Sequence, residues 1–189
     1  MKKLLCLLLS ILLVLSFAAC SSDEDDDDDR KSSKKSKTSA TESYEDAIEL
    51  VVKLYTADLS RSEFEKMIPA DIWEYYEDEE GMSVDDCYEL VADGMEEEYA
   101  ELEEQFGEDF KVTYEILNEE EAQDGDIEEF LEMIEEQYGL DPDDFGDFYE
   151  VEFAVTISGS EDEDTEEVEM IFVEYKGSWY AAEALFGGF

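Results

Sequence analysis

Histidine is absent from this chain of 189 residues, and cysteine, proline and basic residues are scarce. Histidine is the commonest general base and a frequent metal ligand, so its absence removes both roles at once. The 3 cysteines are too few for a zinc site built from thiolates. We therefore expect no metal site and no bound cofactor.

The shortage of basic residues leaves a strongly acidic chain. Lysine and arginine number 12 against 58 aspartates and glutamates, which gives a formal net charge of −46. Such a charge repels a phosphate backbone and the surface of an anionic bilayer, so nucleic acid is excluded as a partner. The 11 tyrosines, 11 phenylalanines and 2 tryptophans still supply enough apolar area for a folded core.

The N-terminus carries a basic start, an apolar run and small residues before a cysteine. Lys2 and Lys3 precede a run from Leu4 to Ala19, and Phe17-Ala18-Ala19-Cys20 ends it. This pattern is typical of a secretory signal. Phe17 to Cys20 resembles the lipobox of bacterial lipoproteins, which implies cleavage after residue 19 and a diacylglycerol on Cys20. The alternative, an uncleaved anchor, is less favoured because the run is short for a membrane span.

The resemblance implies a location on the extracytoplasmic face of the cell membrane, with the bilayer as partner of the lipidated Cys20. Cys6 would leave with the signal peptide, so Cys87 would be the one thiol of the folded domain, and no internal disulfide could form. Apolar neighbours at helical spacing and nearby Asp85 and Asp86 predict that Cys87 is a buried structural thiol.

Residues 20–42 are expected to form a disordered tether. Seven consecutive acids, Asp23 to Asp29, are followed by a basic, serine-rich stretch from Arg30 to Lys37 with no apolar residue to bury. The simplest interpretation is a solvated spacer. The two blocks could instead fold back on each other, or the basic half could contact an anionic wall polymer or lipid.

Residues 43–189 are predicted to form one α+β domain that begins with three helices. Apolar residues from Tyr44 to Tyr55 recur at helical spacing. Ser60 and Glu63 have the spacing of a capping box, and Pro69 ends or restarts that second helix. Ser83 is expected to cap a long third helix that Gly107 ends.

After Gly107 the apolar spacing changes to alternation, which predicts a mostly antiparallel, four-stranded sheet. The expected strands cover Phe110 to Ile116, Tyr149 to Ile157, Val168 to Tyr175 and Ser178 to Leu185. A helix capped by Asp126 and ending near Tyr138 is expected after the first strand, with a turn at Asp124-Gly125. Lys176-Gly177 predicts a tight hairpin.

This order of elements resembles the cystatin-like cone of the nuclear-transport-factor-2-like superfamily, with Val173 to Tyr180 matching a hairpin common in small lipoproteins of this kind. The resemblance implies a curved sheet closed by helices, often around a pocket in which enzymes use an Asp with His or Tyr. An unrelated α+β sandwich would give the same pattern.

The segment from Asp141 to Glu152 has acids at the first, third and last positions of a calcium loop and glycine at the sixth. Phe145 stands where an oxygen ligand belongs and a strand follows, so we interpret it as a helix-to-strand turn. Trp73 and Trp179 could stack on carbohydrate, but their apolar surroundings favour the core.

The sequence therefore predicts a membrane-anchored, non-catalytic binding or accessory module for an unknown protein or small apolar ligand. The alternative is a small hydrolase or isomerase with a carboxylate base in the cone pocket, and a third possibility is a structural factor without a ligand. An Asp or Glu in the pocket beside a Tyr would favour the enzyme, and an apolar cavity would favour binding.

Overall fold

The computed structural model describes residues 41–185, which form an α+β domain. The predicted signal peptide, Cys20 and the tether up to residue 40 lie outside the described residues. Thr41, inside the predicted tether, is already bonded to the domain: its carbonyl oxygen accepts a hydrogen bond from the Trp179 N–H, and its hydroxyl donates to the Trp179 carbonyl.

The N-terminal part of the domain is helical, and serines start its two longest helices. Ser43 and Ser83 each form a capping box with the residue three positions later, Asp46 and Asp86. Gly107 ends the 23-residue helix, as predicted. The helices are α1 (Tyr44–Lys53), α2 (Arg61–Phe64), α3 (Ala70–Tyr75) and α4 (Val84–Phe106).

The connections between these helices follow the expected local signals. Ser60 and Glu63 form the predicted capping box of α2. Pro69 then stands at the N-cap of α3, so it restarts the helix after a short 3-10 turn, Glu65–Met67. A single π-helical turn, Tyr76–Glu80, follows α3 and ends at Gly81, whose φ of 66° is left-handed.

The sheet is open, has four strands in the order β1-β2-β3-β4, and every neighbouring pair is antiparallel. Lys176 and Gly177 both have positive φ and form the predicted two-residue turn between β3 and β4. The α+β class and the antiparallel four-stranded sheet are thus confirmed. The strands are β1 (Lys111–Glu121), β2 (Phe145–Ser158), β3 (Glu163–Tyr175) and β4 (Ser178–Ala181), and two more helices are α5 (Asp124–Tyr138) and α6 (Ala182–Leu185).

Several predicted boundaries were wrong. β1 continues beyond Ile116 to Glu121, because after a bulge at Leu117 its polar residues still pair with β2. The helix after β1 begins at Asp124 with Gln123 as its N-cap, so Asp124-Gly125 is its first turn.

The last strand is also shorter than predicted. β4 ends at Ala181, opposite Phe172, and the segment to Leu185 is the helix α6. Alanine is the best helix former and is depleted in strands, so Ala182 and Ala184 favour a helix that the apolar pattern alone did not indicate.

The two faces of the β2–β3 pair differ sharply. On one face, which we call the covered face, Val151, Phe153 and Val155 pack in a single apolar cluster with Ile48 and Val51 of α1. The opposite face, which we call the open face, carries half-exposed or exposed residues over most of its length, because side chains alternate along a strand. Its members are Glu152, Ala154 and Thr156 of β2 with their opposite residues Glu169, Glu167 and Thr165 of β3.

The larger apolar core joins the remaining helices to the hairpin end of the sheet. It includes Tyr55 after α1, Ile72 of α3, Val91 of α4, Ile134 of α5 and Val173 of β3, each at most 2 % exposed. This core holds the hairpin end of the sheet against the helices.

Candidate functional site

A small crevice lies between α1, β4 and α6. Its walls include Leu50 and Val51 of α1, Ala181 of β4 and Ala184 of α6, and the residues with polar groups in the lining are Lys66, Trp179 and Tyr180. The space open to the centre of a water molecule is about 10 Å³, which is close to that of one water. No aspartate or glutamate lines this crevice, so the sequence criterion for a catalytic carboxylate beside a tyrosine is not met there.

Glu183 of α6 has a buried carboxylate outside that lining. Its Oε1 accepts a hydrogen bond from the Ile171 backbone N–H at 3.3 Å, and its Oε2 is buried without a hydrogen-bond partner among the described residues. Sequence reasoning missed Glu183, because a glutamate in a predicted edge strand is expected to face solvent. Its burial depends on the unpredicted turn of the chain into α6.

The environment of Glu183 changes its protonation. Burial raises the pKa of its carboxyl from the ordinary 4.5 to about 7, and the hydrogen bonds from its own backbone N–H and that of Ile171 oppose this rise only partly. The group is therefore divided between its neutral and ionised forms near neutral pH. A general base can have such a pKa, but an acid–base role also needs contact with substrate.

Three half-exposed rings form a continuous patch at the rim of the covered face, which we call the aromatic surface. It consists of Tyr44, Tyr149 and Trp179, whose ring centroids lie 5.7 to 5.9 Å apart. Tyr44 donates its hydroxyl hydrogen bond to Glu119 of β1, and Glu174 stands directly opposite Trp179 on β3. The patch thus combines aromatic area with flanking carboxylates.

The acidic surroundings of the aromatic surface are apparent at Tyr44. Its pKa is raised above the ordinary value of 10.0, first by burial, then by the hydrogen bond to Glu119 and by the charge of Glu45. The three rings come from segments far apart in the sequence, so the sequence identified Trp179 alone as a candidate.

The two tryptophans have different environments. Trp73 is 6 % exposed, packs on Phe64 and donates its indole hydrogen bond to the Glu65 carbonyl, so it belongs to the core as predicted. Trp179 is half-exposed, and no described residue accepts a hydrogen bond from its indole nitrogen. The core interpretation therefore holds fully for Trp73 and only in part for Trp179.

A cluster of charged and aromatic side chains ties the β3–β4 hairpin to the rest of the domain. Asp71 of α3 accepts hydrogen bonds from the Tyr175 hydroxyl and the Lys176 ammonium, both at 3.2 Å. Lys176 also lies 3.3 Å from Asp144 and 4.8 Å from the centre of the Tyr175 ring. Since these groups satisfy one another at the surface, we interpret the cluster as a structural clamp.

The segment considered as a calcium loop forms a different structure. Asp141 caps a short 3-10 helix, Pro142–Asp144, through its side chain. The ring of Phe145 packs on Tyr175 and Phe130, and Glu152 lies on the open face of β2. The segment is thus a helix-to-strand turn, and residues 41–185 hold no group of three or more Asp, Glu or Cys placed to bind a metal ion.

Cys87 is a buried free thiol, 2 % exposed, in the larger core. Burial, with a smaller contribution from Asp86, raises its pKa above the ordinary 9.0. A raised pKa disfavours the reactive thiolate, and the predicted burial of Cys87 is confirmed.

Within the described part of the chain, no helix is long and apolar enough to cross a membrane. A comparison of this chain with protein-family models, with curated proteins and with solved structures found no match.

Proposed function

We propose that this chain is a membrane-anchored, extracytoplasmic lipoprotein whose domain binds a partner and does not catalyse a reaction. The anchoring rests on the sequence from Lys2 to Cys20. A diacylglycerol on Cys20 would supply two acyl chains, and each buried methylene contributes about 0.8 kcal/mol, so two chains hold a protein stably where one is marginal.

The domain itself is proposed to be a cystatin-like cone. In support, α1 packs on one face of an open antiparallel sheet, and further helices pack around the hairpin end. Thr41, the first described residue, is hydrogen-bonded to Trp179 of the edge strand β4. The described chain therefore starts beside the aromatic surface.

The aromatic surface is the observation that carries the binding role. Tyrosine and tryptophan are enriched among residues that dominate the energetics of protein interfaces, because each supplies a large rigid ring and a polar group. Tyr44, Tyr149 and Trp179 are together, half-exposed and supported from below by the buried Phe172. A protein partner is the better candidate, because the crevice has room for about one water molecule and not for a small ligand.

Catalysis is the weaker hypothesis because the buried ionisable side chains do not line the crevice. The buried carboxylate of Glu183 lies outside the crevice lining, and its described partner is a backbone N–H of β3. The Tyr55 hydroxyl, which is also buried without a described partner, belongs to the larger core. Neither group is among the residues that line the crevice.

Cell fractionation tests the anchoring. The Cys20→Ser protein should leave the membrane fraction, while Cys6→Ser, which changes a thiol in the signal peptide, should remain there. Firm membrane retention of the Cys20→Ser protein would show that the apolar run itself spans the bilayer, and the lipoprotein proposal would then be wrong.

Position-specific photo-crosslinking in intact cells tests the binding role. A photoreactive residue at Tyr149 should give a discrete, saturable product, whereas the same residue at the exposed Glu132 of α5 should give none. The product should disappear when Trp179→Ala is added to the Tyr149 variant. Equal products from both positions would contradict a binding role for the aromatic surface.

A further inference from the structure

The short helix α6 replaces the strand that would continue β4. The last pair between β3 and β4 is Phe172 with Ala181, and in an antiparallel ladder the Ile171 N–H is the next donor on that edge. The chain turns into α6 at Ala182, so the side chain of Glu183 accepts this hydrogen bond in place of a strand carbonyl.

Accepting the Ile171 hydrogen bond with a carboxyl side chain costs free energy that a backbone carbonyl of a strand would not cost. One oxygen of the Glu183 carboxyl satisfies the Ile171 N–H, but the other is buried with no described partner. A buried, unpaired polar atom is unfavourable when the carboxyl is neutral, and it is far more unfavourable when the carboxyl is charged.

The same helix contributes to the packing of the domain. Ala182 and Leu185 of α6 are 6 % and 0 % exposed and belong to the larger core, and Ala184 forms part of the crevice wall. The position of α6 therefore controls both the end of the β3 edge and the size of the crevice.

Charged neighbours do not account for the state of Glu183. The titratable groups on the elements around it include Glu169 and Glu174 of β3, Glu150 opposite Ile171 on β2, Tyr180 of β4, and Lys66 at the crevice near Ala184. None of them is among the causes that shift the pKa of Glu183, which are burial and two backbone hydrogen bonds. The response of α6 to pH therefore depends on its own carboxyl.

We propose that α6 is a pH-dependent cover, docked on β3 while Glu183 is protonated and released when Glu183 ionises. Release would free the Ile171 N–H and widen the crevice at Ala184. Trp179 of the aromatic surface also lines this crevice, so a movement of α6 would occur next to that surface. The proposal does not depend on the binding role of the aromatic surface or on the lipid anchor.

The direction follows from linkage. The docked pKa of about 7 is above the ordinary 4.5, so the docked state is fully favoured below pH 4.5 and loses that advantage as pH rises through 7. The difference corresponds to about 300-fold in the opening equilibrium over the whole range, since each pKa unit is a factor of about ten. Between pH 5.5 and 8.5 the same relation gives about 30-fold.

Amide hydrogen exchange of the full-length chain, measured by NMR in detergent micelles, tests the proposal. Protection of Ile171, corrected for the intrinsic exchange rate, should fall by about 30-fold from pH 5.5 to 8.5. Phe172 is the internal control, because its N–H points to β2 and should keep its protection. Equal changes at both amides, or no change at Ile171, would overturn the proposal without any variant.

Two substitutions sharpen the test. Glu183→Gln keeps the shape of the side chain but cannot ionise, so protection of Ile171 should become independent of pH. Glu169→Gln removes an exposed charge two residues from Ile171 and should leave the wild-type pH dependence intact. A pH dependence that survives Glu183→Gln, or that Glu169→Gln also abolishes, would show that another group controls α6.

Discussion

The covered and open faces of β2 and β3 belong to the same strands, but one face is apolar and packed and the other carries opposed acidic side chains. Val151, Phe153 and Val155 point to the covered face and are at most 1 % exposed beneath α1. Between them, Glu152 and Ala154 point to the open face, where Glu152 stands directly opposite Glu169. Apolar packing therefore stabilises the covered face, while like charges repel each other on the open face.

The difference shows how so acidic a chain can still form a defined sheet. A slip of one residue would exchange the two faces and bury the glutamates, so the apolar packing of the covered face favours the observed register. The open face contributes repulsion: burial, together with the charges of Glu169 and Glu120, raises the pKa of Glu150 above its usual value. Apolar packing on one face must offset this cost.

The largest effect is expected from Phe153→Ala on the covered face. Phe153 is 1 % exposed within the cluster formed with α1, and truncation of a buried phenylalanine costs about 3–5 kcal/mol because a cavity remains. Denaturant unfolding of the wild type and the variant measures this loss.

The matched control is Glu167→Ala, an exposed position on the open face of the partner strand. Its unfolding free energy should stay within about 0.5 kcal/mol of the wild type. Comparable losses from the two substitutions would mean that both faces are packed, and the difference between the covered and open faces would then be wrong.

Local signals explain which parts of the fold could be predicted. The serines before α1, α2 and α4 and the alternation along β2 and β3 act over a few residues, so the sequence shows them directly. β1 extends to Glu121 because it still pairs with β2 after a bulge. Residues Asn118 to Glu121 have no alternation of apolar and polar side chains, so the sequence does not indicate this extension.

The candidate site could be predicted only in part for a similar reason. The aromatic surface joins Tyr44, Tyr149 and Trp179, and their proximity depends on how α1 crosses the sheet. Burial of Glu183 depends on the chain leaving the sheet at Ala182. Both features follow from tertiary packing, which overrides the local preference of each residue.

Glu63→Gln should destabilise the helical side of the domain by about 1 kcal/mol, since it weakens a helix cap and an ion pair. Glu63 accepts hydrogen bonds from Lys53 and from the Ser60 hydroxyl and N–H, which together lower its pKa to about 2. This is the reverse of Glu150, where the neighbours are acids.

The pH dependence of stability shows whether the ionised Glu63 stabilises the domain. For Glu63, the contribution is complete above pH 4.5 and is lost as pH falls towards about 2. The difference in unfolding free energy between wild type and Glu63→Gln should therefore shrink between pH 5 and pH 2.5. A difference that stays constant in this range would show that the Glu63 charge contributes nothing.

A smaller effect, this time an increase in the free energy of unfolding, is expected when the opposed charges of the open face are removed. The double variant Glu152→Gln/Glu169→Gln should be stabilised by about 0.5 kcal/mol at low salt, because like charges directly opposite on a sheet are unfavourable. The wild type should also be stabilised by sodium chloride, which reduces the range of repulsion to about 8 Å at physiological ionic strength. Thermal melts at low and moderate salt measure both effects.

The control for that experiment is Glu96→Gln/Glu104→Gln, which makes the same change in net charge on the exposed surface of α4, where Ala100 separates the two positions. Its gain and its loss of salt dependence should be smaller than those of the open-face variant. Identical behaviour of the two double variants would mean that total charge, and not the pairing of Glu152 with Glu169, opposes folding.

The smallest effect is expected from divalent cations. Asp141 and Glu152 lie in a turn and on the open face, and the position between them that a calcium loop gives to an oxygen ligand holds the packed ring of Phe145. Carboxylates without a fixed set of oxygens attract cations diffusely, so calcium and magnesium should stabilise the protein to the same small extent. Titration calorimetry should show weak, unselective heats that Glu152→Gln leaves unchanged. Micromolar calcium affinity that magnesium cannot replace, and that Glu152→Gln abolishes, would establish a selective site and show that the acids of the open face act together with the turn.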